Sequence, residues 1–137
     1  MHVYTAELTF DAATVGAVKF LSTFKTKQPH RADYPKVPDA AVADPEAVRI
    51  DPVSGNLLWA SEDDCKLNAT PTRVINPFMR EIKPNGTHVR EYTLPSMFNM
   101  ATTETGPRGK AVFKDLAFPP DKSKVAVIME DALFQDA

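Results

Sequence analysis

Cysteine is nearly absent from the sequence, since Cys65 is the single one among 137 residues. A lone thiol has no partner for a disulfide within the chain, and no base stands near it in sequence, so no catalytic thiol is predicted. The sequence also lacks an apolar run of about 20 residues, the length of a membrane-spanning helix. The segment Met1–Glu7 lacks the basic and apolar parts of a secretory signal. We therefore expect neither a membrane span nor an export signal in these residues.

An excess of one charge is lacking as well. Sixteen Lys and Arg residues stand against eighteen Asp and Glu residues, which gives a formal charge of −2, and the basic residues form no run. Binding to nucleic acid or to an anionic membrane surface requires a basic patch. Neither is expected as a partner.

Glycine is scarce and proline is abundant, with 5 and 12 residues respectively. A proline costs about 3 kcal/mol inside a helix and removes a hydrogen bond from a central strand, so the prolines are expected between elements. The longest stretch that permits a helix, residues 11–27, is rich in β-branched and aromatic residues and is interrupted by Gly16. Elsewhere, short apolar runs are bounded by Pro, Gly, Asn and Asp, which is typical of an all-β domain.

The clearest local pattern is a hairpin formed by residues 78–83 and 88–94. Between them stands Asn85-Gly86, a pair that readily adopts the positive φ angles of tight hairpin turns. A hairpin of two antiparallel strands is therefore predicted.

A second hairpin is predicted from residues 47–51 and 57–62, and its apolar return strand fits burial on both faces. The same pattern recurs 68 residues later without gaps, so that Glu62 aligns with Glu130. We interpret this recurrence as an internal repeat.

A repeat of four-stranded units indicates a β-propeller, in which each unit is one antiparallel sheet. We predict an all-β fold, a partial β-propeller of about two blades of antiparallel four-stranded sheet. Residues 1–27 are interpreted as the outer hairpin of a preceding blade, residues 46–95 as one full blade, and residues 114–137 as the inner hairpin of the next. Because a closed propeller needs about four to eight blades, we expect a fragment or a unit completed by another chain, with self-association through open sheet edges.

An ordered set of short motifs runs from Phe24 to the C-terminus. Its members are Asp44-Pro45-Glu46-Ala47-Val48-Arg49, Asn76-Pro77-Phe78-Met79-Arg80-Glu81, Gly106-Pro107-Arg108, Leu116-Ala117-Phe118 and the run from Glu130 to Asp136. As a set, these motifs resemble the phytase-like family, which is described as having the esterase-like activity of phytase. The resemblance implies hydrolysis of a small-molecule phosphoric ester or other ester.

One position departs from the family pattern. Where the family usually has Phe-Glu-Gly-Leu, this sequence has Phe113-Lys114-Asp115-Leu116, so Lys114 replaces a carboxylate. Any site that used that carboxylate would be altered. Asp115 is one position along and would face the other way if the strand register is kept.

The implied chemistry needs cations that neutralise a phosphoryl group and a positioned water, often through bound metals. Carboxylates without His or Cys clusters favour Ca²⁺ or Mg²⁺, and guanidinium groups suit a phosphate. The candidate catalytic residues are Glu46, Glu62, Glu81 and Glu130, the candidate metal ligands are Glu62, Asp63, Glu130 and Asp131, and the candidate substrate-binding residues are Arg49, Arg80 and Arg108.

The same residues also have structural interpretations. Acidic residues at strand ends are commonly solvated, and the pairs Arg80-Glu81 and Arg90-Glu91 fit cross-strand ion pairs on an exposed hairpin. Two alternatives to a hydrolase therefore stay open. One is a non-catalytic propeller binding module, which is favoured by Lys114 at the position of a family carboxylate, and the other is a truncated inactive remnant. Family members are longer and usually carry an export signal, so a longer form of this chain is expected to be secreted or periplasmic.

Overall fold

The computed structural model describes residues 2–30, 32–34, 43–62, 64–66, 73–100, 105–109 and 111–136, with the backbone alone for residues 64–66, 73 and 74. Strands dominate this part of the chain, and its helical segments are single 3-10 turns, so the predicted all-β fold is confirmed. No helix in the described ranges is long and apolar enough to cross a membrane. The elements are β1 His2–Phe10, β2 Val15–Lys25, β3 Asp44–Ile50, β4 Leu57–Glu62, β5 Asp64–Lys66, β6 Arg73–Ile75, β7 Phe78–Ile82, β8 His88–Tyr92, β9 Phe113–Ala117 and β10 Ala126–Met129, with 3-10 turns at Ser96–Phe98 and Phe134–Asp136.

A four-stranded antiparallel sheet in the order β3-β4-β7-β8 forms the centre of the fold. Both of its hairpins are those predicted from the sequence. In the β7–β8 turn, Gly86 has a φ of +84°, and a Cβ there would stand 2.1 Å from the carbonyl oxygen of Lys25. Glycine is therefore required at this position. The β5–β6 hairpin between β4 and β7 was not predicted, because strands of three residues carry too little pattern.

Strand β4 lies inside the sheet and is buried on both faces, as its apolar sequence predicts. On one face, Trp59 packs edge-on against Phe78 and Tyr34. The other face of the sheet is covered by the β9–β10 hairpin. The core on that side consists of Ala47, Leu58, Ala60, Met79, Val112, Phe113 and Leu116.

The β3–β4 and β9–β10 hairpins have the same irregularity. In β3, the pairing skips Glu46 between Pro45 and Ala47, and in β9 it skips Lys114 between Phe113 and Asp115. A skipped residue of this kind is a β-bulge, which bends the strand and redirects a side chain. The two bulges direct Glu46 and Lys114 to the site described below.

The β1–β2 hairpin is paired along most of its length, and its side chains are largely exposed. Tyr4, Phe10 and Phe20 are each more than 60% accessible to solvent. The four sheets of the described residues do not close on themselves. The assignment of residues 1–27, 46–95 and 114–137 to three successive blades stays a prediction.

Candidate functional site

Three glutamates surround one lysine where the β9–β10 hairpin packs on the sheet. The Lys114 ammonium nitrogen lies 3.1 Å from Glu62 Oε1, 3.1 Å from Glu130 Oε2 and 3.6 Å from Glu46 Oε2. Glu46 and Lys114 are the two bulge residues, Glu62 ends β4, and Glu130 follows β10. The site is therefore assembled from two hairpins that are distant in sequence.

Asp44 adds a fourth carboxylate to this site. Asp44 is paired opposite Glu62, and carboxylate oxygens of Asp44, Glu46 and Glu62 all lie within 4.8 Å of one another. These residues, with Glu130 and Lys114, are called the acidic cluster below. Four carboxylates against one ammonium leave an excess of negative charge, which attracts a cation. Oxygen donors of this kind suit Ca²⁺ or Mg²⁺.

Glu62 is the most buried carboxylate of the acidic cluster, with its side chain 3% exposed. A buried charge is costly unless it is paired and hydrogen-bonded. Besides the contact with Lys114, Glu62 Oε1 accepts the backbone N–H of Val112 at 3.2 Å. The carbonyl of Val112 in turn accepts the backbone N–H of Glu130 at 2.9 Å. Val112, which precedes β9, therefore holds the Glu62 carboxylate directly and fixes the backbone of Glu130.

Lys114 carries a permanent positive charge at neutral pH. Burial opposes the charged form, but hydrogen bonds to Glu130 and Glu62 outweigh this effect and hold the pKa of Lys114 above its ordinary value of 10.5. The group is thus a hydrogen-bond donor and a fixed cation, not a general base. The Glu130 side chain is 54% exposed, so the acidic cluster opens to solvent on its side.

Glu81, the fourth predicted catalytic glutamate, lies elsewhere on the same face of the sheet. It is paired opposite Leu58, four residues before Glu62, which is roughly 13 Å along the strand at about 3.3 Å per residue. Its carboxylate accepts hydrogen bonds from Asn56 at 2.5 Å, Arg90 at 2.6 Å and Tyr92 at 3.2 Å. The structure therefore brings Glu46, Glu62 and Glu130 together and leaves Glu81 in a separate group.

The cross-strand ion pairs predicted for the β7–β8 hairpin are present, but the prediction that they are exposed is wrong for Glu81 and Arg80, whose side chains are 4% and 14% exposed because they lie on the two covered faces of the sheet. Arg80 pairs with Glu91 at 2.6 Å, and Glu81 pairs with Arg90. Arg80 also donates to the hydroxyl of Tyr34, and its guanidinium lies 3.7 Å from the centre of the Phe78 ring, so it belongs to the face of the sheet opposite the acidic cluster.

The other two predicted substrate-binding arginines lie apart from Arg80 and from each other. Arg49 pairs with Asp115 and thereby links β3 to β9. Arg108 lies 3.5 Å from Asp131, one of the predicted metal ligands, and 4.8 Å from the centre of the Phe134 ring. The described contacts do not assemble these arginines into one phosphate site. Asp63, another predicted metal ligand, lies outside the described residues.

Two members of the acidic cluster were not predicted as site residues. Asp44 stands two positions before Glu46, and the alternation of side chains along a strand is the signal that places the two on one face. Lys114 was noted as a departure from the family pattern, but its location among the three glutamates depends on the packing of the second hairpin against the first.

The whole chain matches one protein-family model. The family model named phytase-like, described as "Esterase-like activity of phytase", matches residues 1–137. No curated protein and no solved structure matches the chain. The matched range includes every residue of the acidic cluster. The chain therefore belongs to the phytase-like family.

Proposed function

We propose that the chain is a hydrolase domain that cleaves phosphoric esters of small molecules at the acidic cluster, with Ca²⁺ or Mg²⁺ as its cofactor. The observation that carries this proposal is the meeting of Glu46, Glu62 and Glu130 at one point that is open to solvent. Membership of the phytase-like family supports the hydrolytic class of reaction.

Asp44, Glu46 and Glu62 are the residues that would hold the cation, because their oxygen atoms are close together and are hard ligands. A bound divalent ion neutralises charge on a phosphoryl group and lowers the pKa of a water molecule. We assign Glu130, the exposed carboxylate, to orienting the attacking water and accepting its proton. Lys114 donates hydrogen bonds that keep Glu62 and Glu130 in position.

The test is phosphate release from p-nitrophenyl phosphate by the full chain, measured with Ca²⁺, with Mg²⁺ and after addition of a chelator. We expect release with at least one of the ions and its loss in the chelator. An equal rate after chelation would contradict the role of the metal. Hydrolysis of p-nitrophenyl acetate but not of the phosphate would contradict the assignment to phosphoric esters.

A non-catalytic binding module is the second candidate, and one observation favours it. Lys114 already pairs with three of the four carboxylates, so the acidic cluster is partly neutralised without any ion. The substitution Lys114→Glu distinguishes the two candidates. If the wild type is inactive and Lys114→Glu hydrolyses the substrate, the second candidate is supported, because Lys114 then accounts for the loss of catalysis.

A further inference from the structure

The acidic cluster already contains a cation, and that cation is part of the chain. The Lys114 ammonium lies 3.1 Å from Glu62 and from Glu130 and 3.6 Å from Glu46. Its partners come from β3, β4 and the end of β10. The Lys114 side chain is 32% exposed and contacts three carboxylates, whereas an ordinary surface lysine extends into solvent.

The position of Lys114 follows from the backbone. Glu46 and Lys114 are the unpaired bulge residues of their hairpins. Glu46 lies between the paired residues Pro45 and Ala47, and Lys114 lies between the paired residues Phe113 and Asp115. Equivalent bulges thus supply a carboxylate from one hairpin and an ammonium group from the other. The second hairpin brings a cation to the carboxylates of the first.

We propose that Lys114 is the resident cation of the acidic cluster and competes with divalent ions for Glu46 and Glu62. Glu46 and Glu62 both contact Lys114 and belong to the three carboxylates assigned to the ion. Each ion bound there is repelled by the ammonium and must share oxygen atoms with it. Lys114 therefore sets the affinity of the site for Ca²⁺ or Mg²⁺ and holds the two hairpins together when no ion is bound. This inference rests on the cation site of the proposed function, but not on catalysis.

The test is a calorimetric titration of Ca²⁺ into the full chain and its variants. Because Lys114→Met removes the charge and keeps most of the side-chain volume, we expect it to bind Ca²⁺ about tenfold more tightly than the wild type. Lys114→Arg keeps the charge and should bind as weakly as the wild type. Lys124→Met, in the exposed loop of the same hairpin, is the matched control and should leave the affinity unchanged.

Thermal unfolding supplies a second readout that does not depend on activity. In chelator, Lys114→Met should unfold at a lower temperature than the wild type, because its carboxylates repel one another, and Ca²⁺ should raise its Tm more than it raises that of the wild type. Equal or weaker Ca²⁺ binding by Lys114→Met, or an equal Ca²⁺ effect on both Tm values, would overturn the inference. If Lys114→Met binds Ca²⁺ more tightly but the wild type releases no phosphate from p-nitrophenyl phosphate, this inference is supported and only the proposed hydrolytic function is contradicted.

Discussion

Two buried glutamates on one face of the four-stranded sheet have different surroundings. Glu81, with its side chain 4% exposed, accepts hydrogen bonds from Arg90 and Tyr92 of β8 and from Asn56 of the turn between β3 and β4. Glu62, with its side chain 3% exposed, shares a single ammonium group with two other carboxylates. The first group is balanced in charge and lies within one sheet, whereas the second has an excess of negative charge and joins two sheets.

The difference shows that burial alone does not identify a functional carboxylate. Glu81 is matched by Arg90, so its contacts account for its burial without any ligand. Glu62 belongs to a group with excess negative charge whose members come from two hairpins. Structural ion pairs also perturb the pKa values of their members, so the excess of charge and the open side of the acidic cluster are the better guides to function.

The largest effect that separates the two glutamates is expected in catalysis. Glu62→Gln keeps the shape of the side chain but removes the charge that holds the cation and pairs with Lys114, so phosphate release should fall by about 100-fold or more. Glu81→Gln is the matched control and should retain most of the rate in folded protein. Steady-state kinetics on the two variants, with circular dichroism to verify folding, checks this prediction. A larger loss in Glu81→Gln than in Glu62→Gln would reverse the assignment.

A smaller effect is expected in stability, with Glu81 as the critical residue. Glu81→Gln weakens hydrogen bonds to a charged acceptor, so the free energy of unfolding should fall by about 1–3 kcal/mol. Arg90 is exposed and stays hydrated when its partner is neutral, which limits the loss. Glu7→Gln, in an exposed pair with Lys19, should cost less than about 1 kcal/mol. Urea unfolding of both variants measures the difference, and equal losses would remove the structural role of Glu81.

The smallest effect concerns pH. Burial raises the pKa of Glu81, but hydrogen bonds from Asn56 and Arg90 outweigh it, so the pKa of Glu81 lies below its ordinary value of 4.5. The stabilisation from Glu81 is therefore complete above pH 4.5 and is lost as the pH falls through the lower, folded-state pKa. Thermal unfolding between pH 7 and pH 3 should show a steeper loss in the wild type than in Glu81→Gln. Parallel curves would contradict a lowered pKa at this residue.

Much of the fold was predictable because its signals are local. The Asn85-Gly86 turn and the apolar strand 57–62 mark two hairpins, and the structure contains both. The β5–β6 hairpin was missed because its strands are short.

The site was only partly predictable, because it depends on contacts between distant segments. The charged residue types at Glu46, Glu62 and Glu130 pointed to a shared site, and these three residues meet. The ammonium of Lys114 among them was not predicted, since it depends on how two bulged hairpins pack. Glu81 has the same residue type, and its place opposite Leu58 and Arg90, about 13 Å along the sheet from Glu62, separates it from the others.

Calcium titration of the wild type, Glu62→Gln and Glu81→Gln tests the central claim most directly, because it compares the two buried glutamates without requiring the substrate to be known. We predict that the wild type and Glu81→Gln bind Ca²⁺ with similar affinity and that Glu62→Gln loses measurable binding. Binding that is the same in all three proteins, or that is lost in Glu81→Gln and kept in Glu62→Gln, would contradict the assignment of the acidic cluster as the functional site.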